Sequence, residues 1–368
     1  MPDGGAVLVT GGTGFVGGPI IARLVADGRT VRALTRSDAG AERLAAVGAE
    51  PVRGDILDPA SLRAAMEGCD VAYHVAGLNA FCLPDPAQLF LMNVTGMLNV
   101  VRTAGAAGVR RIVATSSAAS IGEAKGTIGR EDSPHRGTFL SHYERSKWQA
   151  EHEGFAAATA AGVELVSVNP ASVQGPGRTR GTAKLLLGYL NGTLKTVIDS
   201  EMSVVDIADC VEAHVLAERH GVAGERYLVS GVTLTVRDAI EVMGRVAGIQ
   251  GVPRVMPAPA AMATATVIGA IARLRRRRAP FCREMMRTLL HGHAYDGTRA
   301  TRDLGLTYTP FEDTLARTLP GTRTTATSPA VSLEARRLLG CEFRDRTDPH
   351  AHLEAPDVRR ASSEDHVD

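Results

Sequence analysis

The segment that most restricts the fold of this chain is Val7-Leu8-Val9-Thr10 followed by Gly11-Gly12-Thr13-Gly14-Phe15-Val16-Gly17. The first four residues predict a buried strand, and an apolar helical pattern over 15–27 follows the glycines. Gly11 permits a tight turn, and Gly14 brings backbone close to a ligand with no Cβ in the way. Gly17 lets the helix pack against the strand, while the helix N-terminus offers N–H groups and partial positive charge. Strand, glycine loop and helix in this order make a phosphate cradle. Gly11, Thr13, Gly14, Phe15, Val16 and Gly17 are therefore candidates to hold the pyrophosphate of a dinucleotide. The spacing is GxxGxxG, not GxGxxG.

From residue 6 to about 168 the same alternation continues. Strand candidates at 6–10, 30–34, 51–53, 71–76, 111–115 and 164–168 are separated by helical patterns at 59–67, 87–107 and 142–161. Continuous apolar strands alternating with helices predict an α/β fold, a doubly wound parallel sheet of the Rossmann type covered on both faces. After Asn169-Pro170 the rhythm loosens. We expect a dinucleotide-binding domain over 1–170 and a smaller C-terminal substrate-binding lobe over 171–320, with the chain returning to the sheet around 200–230. A disordered tail is expected over 321–368, with one short helix at 333–339.

Composition narrows the function by exclusion. Lys and Arg number 41 against 40 Asp and Glu, so no global field favours nucleic acid or acidic partners. Cys69, Cys82, Cys210, Cys282 and Cys341 form no CxxC pair and read as reduced thiols. The N-terminus lacks a basic n-region, and no apolar run reaches the ~18 residues of a spanning helix, so a cytoplasmic location is expected. The sequons at Asn93 and Asn191 are then chance matches. The helix at 260–272 runs into Arg273-Leu274-Arg275-Arg276-Arg277-Arg278. It reads as a lobe helix with a solvated basic end, the alternative being association with a membrane surface. His291/His293 and His350/His352 lack the context of a metal site, and no metal is expected.

At the end of the second strand, where an acid would hold ribose hydroxyls, the chain has Thr35-Arg36-Ser37. Arg36 pairs readily with an adenosine 2′-phosphate that an acid would repel, which points to NADP (NADPH), with Asp38 keeping NAD open.

Tyr143 and Lys147, in Ser141-His142-Tyr143-Glu144-Arg145-Ser146-Lys147, lie four apart at the head of an amphipathic helix and share one face. A phenol titrates near 10, and an ammonium close by is expected to lower that value by more than one unit. A third group, a hydroxyl, belongs at the carboxyl end of the preceding strand, where Arg111-Ile112-Val113-Ala114-Thr115-Ser116-Ser117 supplies it.

In the order of these motifs, residues 6–245 resemble the extended short-chain dehydrogenase/reductase family, within the NAD-dependent epimerase/dehydratase superfamily. The resemblance implies that Ser117, before Ala118-Ala119-Ser120-Ile121-Gly122, acts with Tyr143 and Lys147, Ser116 being the second choice. It implies that Asp55 and Ile56 lie along the adenine and that Val75, Ala76 and Gly77 close the cofactor groove. Pro170 and Val173 would flank the nicotinamide, where Asn169 departs from a frequent Arg. Tyr143 and Lys147 would also contact the cofactor. Asn93 would support the active site, an equal reading being a buried helix asparagine bonded to backbone. A homodimer is implied by the same resemblance. Thr115-Ser116-Ser117 in place of Thr-Asp-Glu disfavours a dehydratase. Pro84-Asp85-Pro86 and the proline-rich passage after 250 resemble the dihydroflavonol-reductase and hydroxysteroid-dehydrogenase-like branch. The expected activity is a ketoreductase or alcohol dehydrogenase on a bulky small molecule. Its alternatives are a sugar-nucleotide epimerase and a catalytically silent NADP-binding regulator.

Overall fold

The computed structural model describes residues 5–178, 183–275, 277 and 279–318. Its first half runs β1 (Ala6–Thr10), α1 (Gly17–Ala26), β2 (Val31–Thr35), α2 (Asp38–Ala46), β3 (Glu50–Arg53), α3 (Pro59–Met66) and β4 (Cys69–His74). Then come α4 (Ala87–Phe90), a π turn (Leu91–Thr95), α5 (Gly96–Ala107), β5 (Arg111–Thr115), a 3-10 turn (Ala118–Ser120) and β6 (Ile128–Gly129). α6 (His142–Ala161), β7 (Glu164–Pro170), β8 (Ser172–Gln174), α7 (Ala183–Leu190), β9 (Thr196–Val197), β10 (Glu201–Asp206) and α8 (Ile207–His220) follow. The rest is β11 (Arg226–Val229), β12 (Val232–Thr235), α9 (Val236–Ala247), β13 (Arg254–Val255), α10 (Ala258–Leu274), α11 (Arg283–His291), β14 (Ala294–Tyr295) and α12 (Phe311–Thr318).

Seven parallel strands form the main sheet in the order β11-β7-β5-β4-β1-β2-β3. Side chains alternate across it with the period of two that a strand imposes. Val7, Val9, Val71, Tyr73 and Val113 join the core on the α1/α8 face, with Ile20, Leu24, Val211 and Val215. Leu8, Ala72, Ile112 and Ala114 join the opposite core with Leu62, Val100, Val101 and Ala150. Both faces are dry, as the continuous apolar strands predict. The chain winds outward in both directions from β1 and β4, so the crevice for a ligand opens at their carboxyl ends.

β11 returns the chain to the sheet edge beside β7, at Arg226↔Ser167 through Val229↔Pro170. A smaller sheet, β12-β10-β8, carries the second lobe. Beside it α7, α9 and α12 enclose a core containing Tyr189, Ile240, Met243 and Leu315. The helix α2, capped by the Ser37 hydroxyl on the Gly40 N–H, was not expected, because its short Ala-Gly-Ala segment buries only Gly40 and Leu44. α10 buries only Ala261 and Ala265 and leaves Val267, Ile271 and Leu274 exposed. Among the described residues no helix is long and apolar enough to cross a membrane. The expected tail, its helix at 333–339, and Cys341 lie outside the described residues.

The cysteine reading needs correction. Cys82 and Cys282 are joined in a disulfide across a separation of 200 residues, with Cα atoms 5.7 Å apart, while Cys69 and Cys210 are buried free thiols. Local spacing could not show this pair, because the fold alone brings the loop after β4 to the start of α11. The Cys82 N–H donates to Glu284 Oε1 at 2.6 Å, tying the same two segments a second time. Cys82→Ser is expected to destabilise the protein by about 2–4 kcal/mol in urea denaturation without reductant. An unchanged midpoint would show that the bridge does not form.

Candidate active site

The glycine loop sits at the β1/β4 crevice. Gly11 adopts φ +73°, and a Cβ there would lie 2.6 Å from the Ala76 N. A Cβ on Gly17 would lie 2.3 Å from the Gly11 carbonyl oxygen, so this position needs glycine on packing grounds as well. No side chain caps α1, whose first turn faces the loop. Thr13 and Gly14 are exposed at the loop tip, with Phe15 and Val16 half-buried behind them. The opposite wall is tied down from β1: Thr10 Oγ1 lies 2.9 Å from His74 Nδ1 and accepts from the Ala76 N–H at 3.2 Å. The Val75 N–H donates to the Thr10 carbonyl at 3.2 Å. Burial, with the Lys147 charge nearby, pushes the His74 pKa down to about 3, so its ring is neutral and can accept from the threonine hydroxyl. A cradle that Cβ atoms would fill, under an uncapped helix, fits a dinucleotide pyrophosphate.

At the outer end of the groove Arg36 is exposed and lies 3.6 Å from Asp55 Oδ2. Asp38 instead pairs with Arg53 at 2.7 Å. Asp55 Oδ1 accepts from the Leu57 N–H at 3.0 Å. The Ile56 side chain is turned into the core, where it packs on Gly96, and its carbonyl accepts from Asn99 Nδ2 at 3.1 Å. Of the Asp55-Ile56 pair, then, only Asp55 points its side chain toward Arg36.

Ser117, Tyr143 and Lys147 gather on the other side of the crevice. Ser117 caps the 3-10 turn, accepting from the Ala119 N–H at 3.3 Å, and its hydroxyl lies near enough to the Tyr143 phenol to lower its pKa. Tyr143 stands in the first turn of α6, which the Ser141 hydroxyl caps through the Glu144 N–H at 3.1 Å. The Phe81 ring tilts against the Tyr143 ring with centroids 5.7 Å apart. Lys147 Nζ donates to the Thr115 carbonyl at 2.9 Å, and a Cβ on Gly77 would lie 3.3 Å from it. Ser116, the second choice, is buried with no partner for its hydroxyl and belongs to the strand end.

The electrostatics overturn one expectation. Burial raises the Tyr143 pKa, outweighing the nearby Ser117 hydroxyl and the Arg178 charge, both of which lower it. Lys147 is not among the groups acting on the phenol, because its ammonium is turned toward Thr115 and Gly77. Desolvation wins over the neighbouring charges here. Arg178 went unnoticed in the sequence because it follows the glycine-proline loop at 175–177. Its guanidinium lies 5.6 Å over the Phe15 ring, and burial lowers its pKa to about 10.

Burial likewise lowers Lys147 to about 8, against 10.5 for an ordinary lysine, with Glu151 opposing the shift. Between these values the unfolded chain holds a proton that the folded chain has released, so stability rises with pH across that window. In the cofactor-free protein the urea midpoint should therefore climb between pH 8 and 10 for wild type, relative to Lys147→Met. Parallel pH profiles for the two proteins would refute this.

Behind the three residues lies a buried polar lattice. Asn93, in the π turn, accepts from the Leu78 N–H at 2.7 Å and donates to the Leu78 carbonyl at 3.0 Å and to Ser146 Oγ at 2.9 Å. Both readings of Asn93 therefore meet in one residue: it bonds backbone, and through Ser146 and Leu78 it fixes α6 against the loop beside Gly77. Asn169 donates to Ser120 Oγ at 2.9 Å and to Glu151 Oε2 at 2.5 Å, locking the end of β7 behind the Ser117 turn. Glu151 pairs with Arg226 at 2.9 Å, which satisfies its buried charge. Pro170 and Val173 are buried at the ends of β7 and in β8, on the side of the crevice bearing Ser117.

Against known proteins, residues 7–230 match the sequence model described as the NAD dependent epimerase/dehydratase family. The sterol demethylase protein B of Methylococcus capsulatus is 32% identical over 322 residues, 84% of this chain and 97% of that protein. A 4-hydroxy-2-methyl-3-oxo-4-farnesyl-3,4-dihydroquinoline-1-oxide ketoreductase of Stigmatella aurantiaca is 29% identical, over 81% of this chain and 90% of that protein. The crystal structure of gox2253 superposes with a TM-score of 0.74 at 27% identity, covering 86% of this chain and 98% of that one.

Proposed function

The chain belongs to the NAD dependent epimerase/dehydratase family, and from that premise we propose that it is an NADP(H)-dependent oxidoreductase interconverting a carbonyl and a secondary alcohol on a bulky, largely apolar small molecule. The observation that carries this reading is the nearness of the Ser117 hydroxyl and the Tyr143 phenol, close enough for Ser117 to act on the phenol's titration, at the crevice beside the glycine loop. Gly11, Thr13, Gly14, Phe15, Val16 and Gly17 would hold the pyrophosphate, Arg36 the 2′-phosphate, and Asp55 and Ile56 the adenine end. Val75, Ala76, Gly77, Lys147, Pro170 and Val173 would line the nicotinamide end.

When bound, the cofactor supplies the hydride. Ser117 holds the substrate oxygen where negative charge develops. Tyr143 gives that oxygen a proton, or takes one from the alcohol. A phenol whose pKa burial has raised keeps its proton at neutral pH, which suits the reductive direction. Lys147, anchored at Thr115, presents its ammonium to the cofactor ribose. The substrate class is supported by two relatives whose names carry a sterol and a farnesylated quinoline.

The test is to incubate purified protein with NADPH and a panel of cyclic and isoprenoid ketones, following absorbance of the reduced nicotinamide. Net oxidation with formation of the alcohol is expected. Conversion of a sugar nucleotide with no net change in cofactor would instead establish the epimerase, and binding without turnover the silent regulator.

A further inference from the structure

A second cluster of chemically active side chains lies away from the cofactor crevice. Glu123, six residues beyond Ser117, meets His291 at the end of α11 and His293 just before β14, with their ligand atoms all within 4.8 Å of one another. Glu123 Oε1 is 2.6 Å from His293 Nδ1 and 3.7 Å from His291 Nε2. The side chains of Glu123 and His291 are 2% and 7% exposed, and that of His293 20%. Tyr295 Oη adds an oxygen 3.2 Å from His293 Nδ1.

Two atoms of this cluster are unexplained. Glu123 Oε2 and His291 Nε2 are buried with no hydrogen-bond partner. Leaving a buried acceptor unpaired costs about 1–3 kcal/mol, and folded proteins tolerate few such atoms. One ion held by both lone pairs would remove both costs. The opposing charge in the neighbourhood is Arg136, which donates to the Glu123 carbonyl oxygen at 3.0 Å and has a buried, unpaired Nε. Its guanidinium forms an ion pair with buried Glu144, so that charge is already balanced.

We propose that Glu123, His291 and His293 form a binding site for a divalent transition-metal ion of the Zn2+ class. Two imidazoles and one carboxylate suit such an ion, whereas Mg2+ and Ca2+ favour all-oxygen sets. The ion would pin the segment after the Ser117 turn to the C-terminal lobe. The assignment stands on this cluster alone and is independent of the redox reading above.

The test uses the full chain, stripped with a chelator and kept free of reductant so that the Cys82–Cys282 bridge stays closed. Titration with Zn2+ by calorimetry, and with Co2+ by its visible ligand-field spectrum, should show one equivalent bound in a site of nitrogen and oxygen donors. His291→Gln, which keeps the side-chain volume, should weaken Zn2+ binding at least tenfold while leaving the circular dichroism spectrum unchanged. Glu123→Gln should do the same, and if either variant fails to fold, the wild-type Co2+ spectrum still decides. No stoichiometric binding, binding unaffected in a folded His291→Gln, or equal binding of Mg2+ would overturn the assignment. So would a sulfur-to-cobalt charge-transfer band, which would move the ion to Cys82, Cys282 and Glu284.

Discussion

Tyr143→Phe is expected to lower turnover by about 10²–10⁴-fold with NADPH affinity nearly unchanged, because it deletes one proton donor and keeps the ring. The ring itself has a packing role against Phe81, and Phe preserves that contact. A fall in turnover with intact binding therefore reports the hydroxyl. Single-turnover measurement at saturating NADPH, alongside a fluorescence titration of NADPH binding, separates the two effects. Should the variant reduce ketones at the wild-type rate, the proton comes from elsewhere and the proposed chemistry is wrong.

Arg36→Ala is expected to weaken NADPH binding by about 10–100-fold, a charge-assisted hydrogen bond contributing roughly 1.5–3 kcal/mol. NADH has no 2′-phosphate, so its binding should change little. Among the described residues Arg36 pairs with Asp55, 3.6 Å away, and both groups are accessible to water. Such an exposed pair contributes little to stability, so the variant should fold normally. Equal losses for NADPH and NADH would assign Arg36 to general surface charge and return the cofactor to NAD.

Much of the fold was legible because it is written in local periodicity. β1, β5, β7 and the helix α6 fall where the apolar runs and the amphipathic pattern put them. α2 was missed because a nine-residue helix with two buried residues leaves almost no periodic trace. The site was legible to the extent that its members sit at strand ends or at fixed helical spacing: Gly11, Gly17, Ser117, Tyr143 and Lys147. What was not legible depends on pairings across the chain. Arg178, in the loop after β8, acts on Tyr143 across a long stretch of chain. Cys82 meets Cys282, and Glu123 meets His291, through contacts no window of sequence spans. The charge balance at Tyr143 was also out of reach, since it turns on how deeply the phenol is buried.

The return of β11 to the sheet edge limits where this protein can be cut. A fragment ending at Pro170 would lack both β11 and α8. It would then present β7 as an open edge, with Val166 and Val168 bare on one side. Unpaired strand edges beside apolar surface invite intermolecular pairing. The nucleotide-binding half is therefore expected to aggregate when expressed alone, and any functional truncation has to retain the chain through Val229.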